Sequence, residues 1–63
     1  MDERARQEFL KIYSQLPLNL RKEVILVLDE EGPITWEVAY FEIENKTDKA
    51  RTILKKLKEL DII

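Results

Sequence analysis

Basic side chains concentrate in the last part of this chain, where their chemistry suits contact with phosphates and base edges. Residues 45–63 hold six Lys/Arg against three Asp/Glu, a net charge of +3, whereas residues 1–44 hold five against ten, a net charge of −5. Ammonium and guanidinium groups neutralise phosphate charge, and arginine also donates paired hydrogen bonds to base edges. The positive charge therefore lies where a DNA-reading helix would need it.

Catalytic chemistry has almost no residues to draw on. The chain contains no cysteine and no histidine, which removes thiolate nucleophiles, imidazole bases and the commonest metal ligand. Ser14 is the only serine, and no general base lies near it in the sequence. We expect no enzyme activity, no metal, no cofactor and no small-molecule ligand.

A helix that follows Thr47 must position the basic side chains. Thr47 can cap it, and Asp48 suits the positive helix end. Apolar residues recur at helical spacing along one side: Ala50, Ile53, Leu54, Leu57 and Leu60. On the other side we expect three residues to face base edges, Arg51, Thr52 and Lys55, and four to lie nearer phosphates, Lys46, Thr47, Lys49 and Lys56.

The same side of this helix has an ordinary interpretation, the solvated face of an amphipathic helix. Asp48 and Glu59 share that face, and their carboxylates would repel phosphates. The sequence therefore leaves two functions open, DNA binding and a protein–protein interaction module without DNA binding. The aromatic residues Trp36, Tyr40 and Phe41 favour the second function where they are not needed to fill the core.

Three further helices are expected before the basic one. Their predicted bounds and caps are about Asp2 to Gln15 with Asp2 as cap, about Leu20 to Glu31 after Asn19, and Trp36 to Glu44 after Thr35. Gly32-Pro33 is expected to stop the second of them. We predict a single all-α domain over residues 1–63 with four helices, and one short residual strand if Ile62-Ile63 pairs with Pro33-Ile34.

The second half of the chain resembles the helix-turn-helix core of winged-helix transcription regulators. Gly32-Pro33-Ile34-Thr35 matches the opening of the second helix in that family, and Leu54-Lys55-Lys56-Leu57 with Ile62-Ile63 matches the end of the recognition helix. The resemblance covers residues 20–63. It implies a DNA-binding transcriptional regulator that reads the major groove with its last helix.

The chain departs from the family pattern at three points. Glu44-Asn45-Lys46 replaces the usual glycine turn, and Asn45 could take the left-handed conformation there. The wing that should follow the recognition helix is absent. The net charge is −2 with a pI near 5.1, so attraction to DNA must rely on a local basic patch or on a dimer.

Self-association is expected from the small size of the chain. A domain of this length buries only about 60% of its unfolded surface, and no disulfide supplements its core. The N-terminal helix, residues 1–17, carries an apolar stripe that could form a homodimer interface or pack on the chain's own core. The residues of this stripe are Phe9, Ile12, Tyr13 and Leu16.

Composition also bears on location. The longest aliphatic run is Val24 to Leu28, far shorter than the roughly 20 residues of a membrane span. We expect a cytoplasmic protein. Charged residues make up 38% of the chain, a composition similar to that of heat-adapted proteins.

Overall fold

The structure, a computed structural model, describes residues 2–63. Its elements in chain order are helix α1 (Glu3–Ser14), a 3₁₀ turn (Leu18–Leu20), strands β1 (Val24–Leu28) and β2 (Gly32–Thr35), and helices α2 (Trp36–Glu44) and α3 (Asp48–Glu59). The domain therefore combines helices with an antiparallel hairpin. The predicted all-α, four-helix fold is wrong.

Strand β1 replaces most of the expected second helix. Its sequence, Val-Ile-Leu-Val-Leu, is apolar at every position, so it has neither helical nor strand periodicity, and its β-branched residues favour extended backbone. β1 pairs with β2 antiparallel, with Val27 opposite Pro33 and a bulge between Val24 and Leu26. Leu26 and Leu28 are buried while Val27 is exposed, as expected for a strand with one solvated side.

The Gly32-Pro33 signal marks a hairpin turn and not the end of a helix. Gly32 has a φ of +79°, a left-handed conformation that glycine adopts without strain. Residues 29–31 form the turn that leads into it. The expected pairing of Ile62-Ile63 with Pro33-Ile34 is also wrong, because Pro33 and Ile34 pair with β1.

Three of the four expected helix caps are confirmed, and the fourth is wrong because Asn19 lies inside the 3₁₀ turn. The Asp2 carboxylate accepts from the Ala5 amide at 3.1 Å, the Thr35 hydroxyl from the Val38 amide at 3.1 Å, and the Thr47 hydroxyl from the Ala50 amide at 3.1 Å. Each bond satisfies a backbone donor that has no partner within the helix. A short polar side chain immediately before each helix therefore fixes where α1, α2 and α3 begin.

The core joins the three helices to the inner side of the hairpin. Its largest fully buried side chains are Phe9 from α1, Ile43 from α2, and Ile53 and Leu57 from α3. Aromatic rings extend this core between α1 and α2: Phe9 stacks on Trp36 at a centroid distance of 5.9 Å, and Tyr13 stacks on Tyr40 at 4.2 Å. Since only a short turn joins α2 to α3, the packing of α2 also fixes the position of α3.

Candidate nucleic-acid interface

The turn between α2 and α3 sets the direction of the basic helix. The Asn45 side-chain amide donates to the Phe41 carbonyl at 2.7 Å and closes α2. Lys46 then takes the left-handed conformation, with a φ of 53°. The expectation that Asn45 would do so is wrong, since its φ is −89°. The Thr47 hydroxyl both caps α3 and donates to the Glu42 carboxylate, which ties the start of α3 to α2.

Helix α3 has one buried and one exposed side, as the sequence predicts. Four of the five predicted apolar side chains form the buried side: Ala50, Ile53, Leu54 and Leu57. Leu60 does not, because it lies past the end of α3 and is exposed. The exposed residues on the opposite side include four of those expected to contact DNA: Arg51, Thr52, Lys55 and Lys56. We call these four residues the α3 basic face. A single helix surface therefore presents three cations and a hydroxyl to solvent.

The remaining predicted contact residues lie at the start of α3. Lys46 is exposed in the turn, whereas Thr47 and Lys49 are half-buried. Since the Thr47 hydroxyl is already engaged with the Ala50 amide and the Glu42 carboxylate, its structural part is to position the helix. Lys46 and Lys49 lie beside the N-terminus of α3, where the helix dipole adds partial positive charge.

A surface groove runs beside the α3 basic face. Arg51, Lys55 and Lys58 line it at positions i, i+4 and i+7 of the helix, together with three further residues, Asp2, Leu54 and Glu59. Residues at this spacing lie above one another on one side of a helix. Lys58 was not among the predicted contact residues, although the sequence pattern places it, like Lys56, at the flank of the exposed side.

Asp2 neutralises Lys58 within the chain. The Lys58 ammonium donates to the Asp2 carboxylate at 2.8 Å. This hydrogen bond is the main reason why the pKa of Asp2 is lowered from its ordinary value, and the Ala5 amide lowers the pKa further. The two residues lie 56 positions apart, so no local sequence signal could have predicted the pair.

Apart from the Lys58–Asp2 pair, the ion pairs of the described chain involve Arg6 and no residue of α3. Within residues 2–63, Arg6 contacts Glu3 at 3.7 Å and Glu44 at 3.9 Å, and Lys58 contacts Asp2. Arg51, Lys55 and Lys56 form no ion pair in this part of the chain. Their charge is therefore available to an external anion.

The residues of the predicted dimer stripe pack largely inside this chain. Phe9 is fully buried and Tyr13 is buried, while Ile12 and Leu16 are half-buried. The ring of Tyr13 lies between that of Tyr40 and the guanidinium of Arg21, whose carbon is 4.7 Å from the Tyr13 centroid. The core of a single chain therefore accounts for the burial of Phe9 and Tyr13 without a second copy.

Residues 2–63 contain neither a metal-binding cluster nor a helix that could span a membrane. In this range no group of His, Cys, Asp or Glu side chains is arranged to hold a metal ion. Over the same range, every helix is too short or too polar to cross a lipid bilayer.

Comparison with known proteins identifies no relative. No protein-family model matches the chain, and neither the curated proteins nor the solved structures give a match.

Proposed function

We propose that the protein binds double-stranded DNA with the α3 basic face and acts as a transcriptional regulator in homodimeric form. The observation that carries this proposal is the exposure of Arg51 and Lys55, one helical turn apart and free of ion pairs in the described chain, on a helix that follows a short turn from α2. A helix held in this way fits the major groove of B-DNA, where its exposed side reaches base edges.

The roles of the side chains follow from their positions on α3. Arg51, Thr52 and Lys55 lie centrally on the exposed side and are assigned to base edges, since arginine and lysine donate to guanine and threonine donates or accepts. Lys46 and Lys49 lie at the start of α3 and Lys56 lies at the flank of its exposed side, so these three are assigned to phosphates. Thr47 acts mainly through the cap that holds the start of α3.

The overall charge makes this binding short-range and dependent on salt. The chain carries a net charge of −2, so long-range attraction to DNA is weak and the local cations must supply it. Asp48 and Glu59 lie beside those cations and limit the number of phosphates that α3 can approach. We therefore expect measurable binding at low ionic strength and a steep loss of affinity as salt is added.

A titration of duplex DNA with the protein tests this proposal. We expect the double variant Arg51→Ala/Lys55→Ala to lose affinity at every salt concentration, because both side chains are exposed and neither supports the core. The matched control is Arg4→Ala/Lys11→Ala, which removes two exposed cations from α1 and should change the affinity far less. Absence of binding by the unmodified protein at low salt would overturn the proposal.

A protein-interaction module is the second candidate function, and one observation favours it. Phe41 on α2 is 62% exposed and Val38, one turn before it, is 42% exposed. Exposed aromatic and aliphatic side chains at this spacing on a helix are typical of protein contacts. Failure to bind DNA, combined with a chemical-shift response at Phe41 and Val38 to a protein partner, would favour this function.

A further inference from the structure

Strand β1 has one edge without a strand partner. The sheet formed by residues 2–63 contains β1 and β2 alone, and the backbone bonds outside the regular elements join no residue of Val24–Leu28 to another segment of this range. Along the outer edge of β1, N–H and C=O groups therefore face away from the hairpin. Such an edge is a template for another strand.

The two edges of the hairpin differ in their protection. β2 contains Pro33, which has no N–H to donate and is typical of edge strands that face solvent. β1 contains neither a proline nor a charged residue, and its side chains Val24 and Val27 are 54% and 61% exposed. A further strand can therefore pair with the outer edge of β1, whereas Pro33 disfavours pairing at the outer edge of β2.

We propose that a second copy of this chain occupies the β1 edge. In this dimer the two β1 strands pair antiparallel about a two-fold axis and form a four-stranded sheet. Each copy then satisfies the free backbone groups of the other and covers its exposed valines. The two-fold axis uses the same edge of both copies, and the Pro33 edge stops further addition, so the assembly closes at two chains.

The charges that flank β1 favour a second copy of this chain as its partner. Lys22 lies before the strand, and the acidic turn of Asp29, Glu30 and Glu31 follows it. An antiparallel pairing of two β1 strands brings the Lys22 end of one copy beside the acidic turn of the other, and it does so twice because of the symmetry. Glu23 opposes this attraction in part, but Arg21 precedes Lys22, so residues 21–23 keep a net charge of +1. A second copy thus supplies opposite charges at both ends of the interface.

The helical stripe is a less suitable surface for this dimer. Phe9 and Tyr13 already fill the core of one chain, whereas the β1 edge has no partner in residues 2–63. The β1 edge would be the interface of the homodimer in the proposed function, and it rests on that proposal for self-association alone. It does not require DNA binding, because the protein by itself should dimerise.

Sedimentation equilibrium of the full chain over a wide concentration range, without DNA, tests the interface. We expect a reversible monomer–dimer equilibrium that Val27→Lys weakens by at least about tenfold, since it places like charges near one another across the new sheet. Leu60→Lys is the matched control, because Leu60 is also an exposed aliphatic residue but lies at the C-cap of α3 and not on the hairpin. It should leave the dimer unchanged, and circular dichroism should show native folding of both variants.

A charge exchange makes the same test independent of apolar contacts. Lys22→Glu should weaken the dimer, and adding Asp29→Lys and Glu30→Lys should restore it, because residues 21–23 then carry a net negative charge and residues 29–31 a net positive one. A protein that stays monomeric at every concentration would overturn the inference. So would a dimer that tolerates Val27→Lys, and sensitivity to Leu16→Glu alone would assign the interface to α1. A DNA-binding monomer would overturn this interface while leaving the DNA proposal intact.

Discussion

The Lys58 ammonium lies 2.8 Å from the Asp2 carboxylate, which joins the last turn of α3 to the cap of α1. Asp2 has two functions in this arrangement, since it also accepts the Ala5 amide at 3.1 Å. Both residues of the pair line the same groove as Arg51 and Lys55. A cation that could contact phosphate is therefore held by an acid from the opposite end of the chain.

Release of Lys58 should strengthen DNA binding. We predict that Asp2→Asn raises the affinity for duplex DNA at low salt and steepens the salt dependence by up to about 0.9 in log–log slope, the value for one added phosphate contact. Asparagine is also a good N-cap, so α1 should stay folded. Fluorescence anisotropy over a salt series measures both quantities.

Glu3→Gln serves as the control for that effect. It removes the same charge one residue further along, but Glu3 contacts Arg6 and not Lys58. Equal gains in affinity for Asp2→Asn and Glu3→Gln would show that net charge alone is responsible, and that the freed Lys58 makes no contact.

The stability of the fold should fall in acid through the same carboxylate. The pKa of Asp2 in the folded chain is lowered below its ordinary value of 3.8. Its contribution to the free energy of unfolding is therefore present above pH 3.8 and is lost as the pH falls through the lower folded-state pKa. Denaturant titrations at several pH values should show a smaller acid loss for Asp2→Asn than for the unmodified chain. Identical pH profiles would contradict the role of this carboxylate.

Lys46 occupies a backbone conformation that suits glycine. Its φ of 53° costs about 1 kcal/mol in a residue with a side chain. We predict that Lys46→Gly raises the free energy of unfolding by roughly 0.5–1 kcal/mol. Asn45→Gly should instead lower it, because Asn45 has a φ of −89° and its side chain bonds to the Phe41 carbonyl. Thermal unfolding of both variants checks the opposite signs, and a destabilised Lys46→Gly would contradict the account.

Thr47 and Thr52 should differ in their contribution to the free energy of unfolding. Thr47→Ala removes a cap and a bond to Glu42, so it should lower the free energy of unfolding by about 0.5–2 kcal/mol. Thr52→Ala replaces an exposed residue within α3 and should change it by less than about 0.5 kcal/mol. Denaturant midpoints measure this contrast. Similar losses for the two variants would mean that Thr47 does not fix the start of α3.

The sequence predicts the helices whose ends carry strong signals. Thr35 and Thr47 mark the starts of α2 and α3, and the spacing from Ala50 to Leu57 identifies the buried side of α3. These elements depend on local hydrogen bonds and on a period that the residues themselves display. The position of the α3 basic face is predictable for the same reason.

The hairpin and the Lys58–Asp2 pair could not be predicted in this way. Val24–Leu28 is apolar throughout, so its conformation is decided by pairing with β2 and not by any pattern of its own. Lys58 and Asp2 meet only after α1 and α3 pack against the same core. Such contacts depend on tertiary structure, and local sequence signals do not contain them.

The decisive measurement for DNA binding by α3 is its salt dependence, compared between the unmodified protein and Arg51→Ala/Lys55→Ala. A cation that binds phosphate contributes about 0.9 to the log–log slope, while one that contacts only bases contributes affinity without slope. We predict binding by the unmodified protein, with the double variant weaker at every salt concentration and a slope shallower by up to about 1.8. Equal affinities and equal slopes for the two proteins would contradict the assignment of DNA binding to α3.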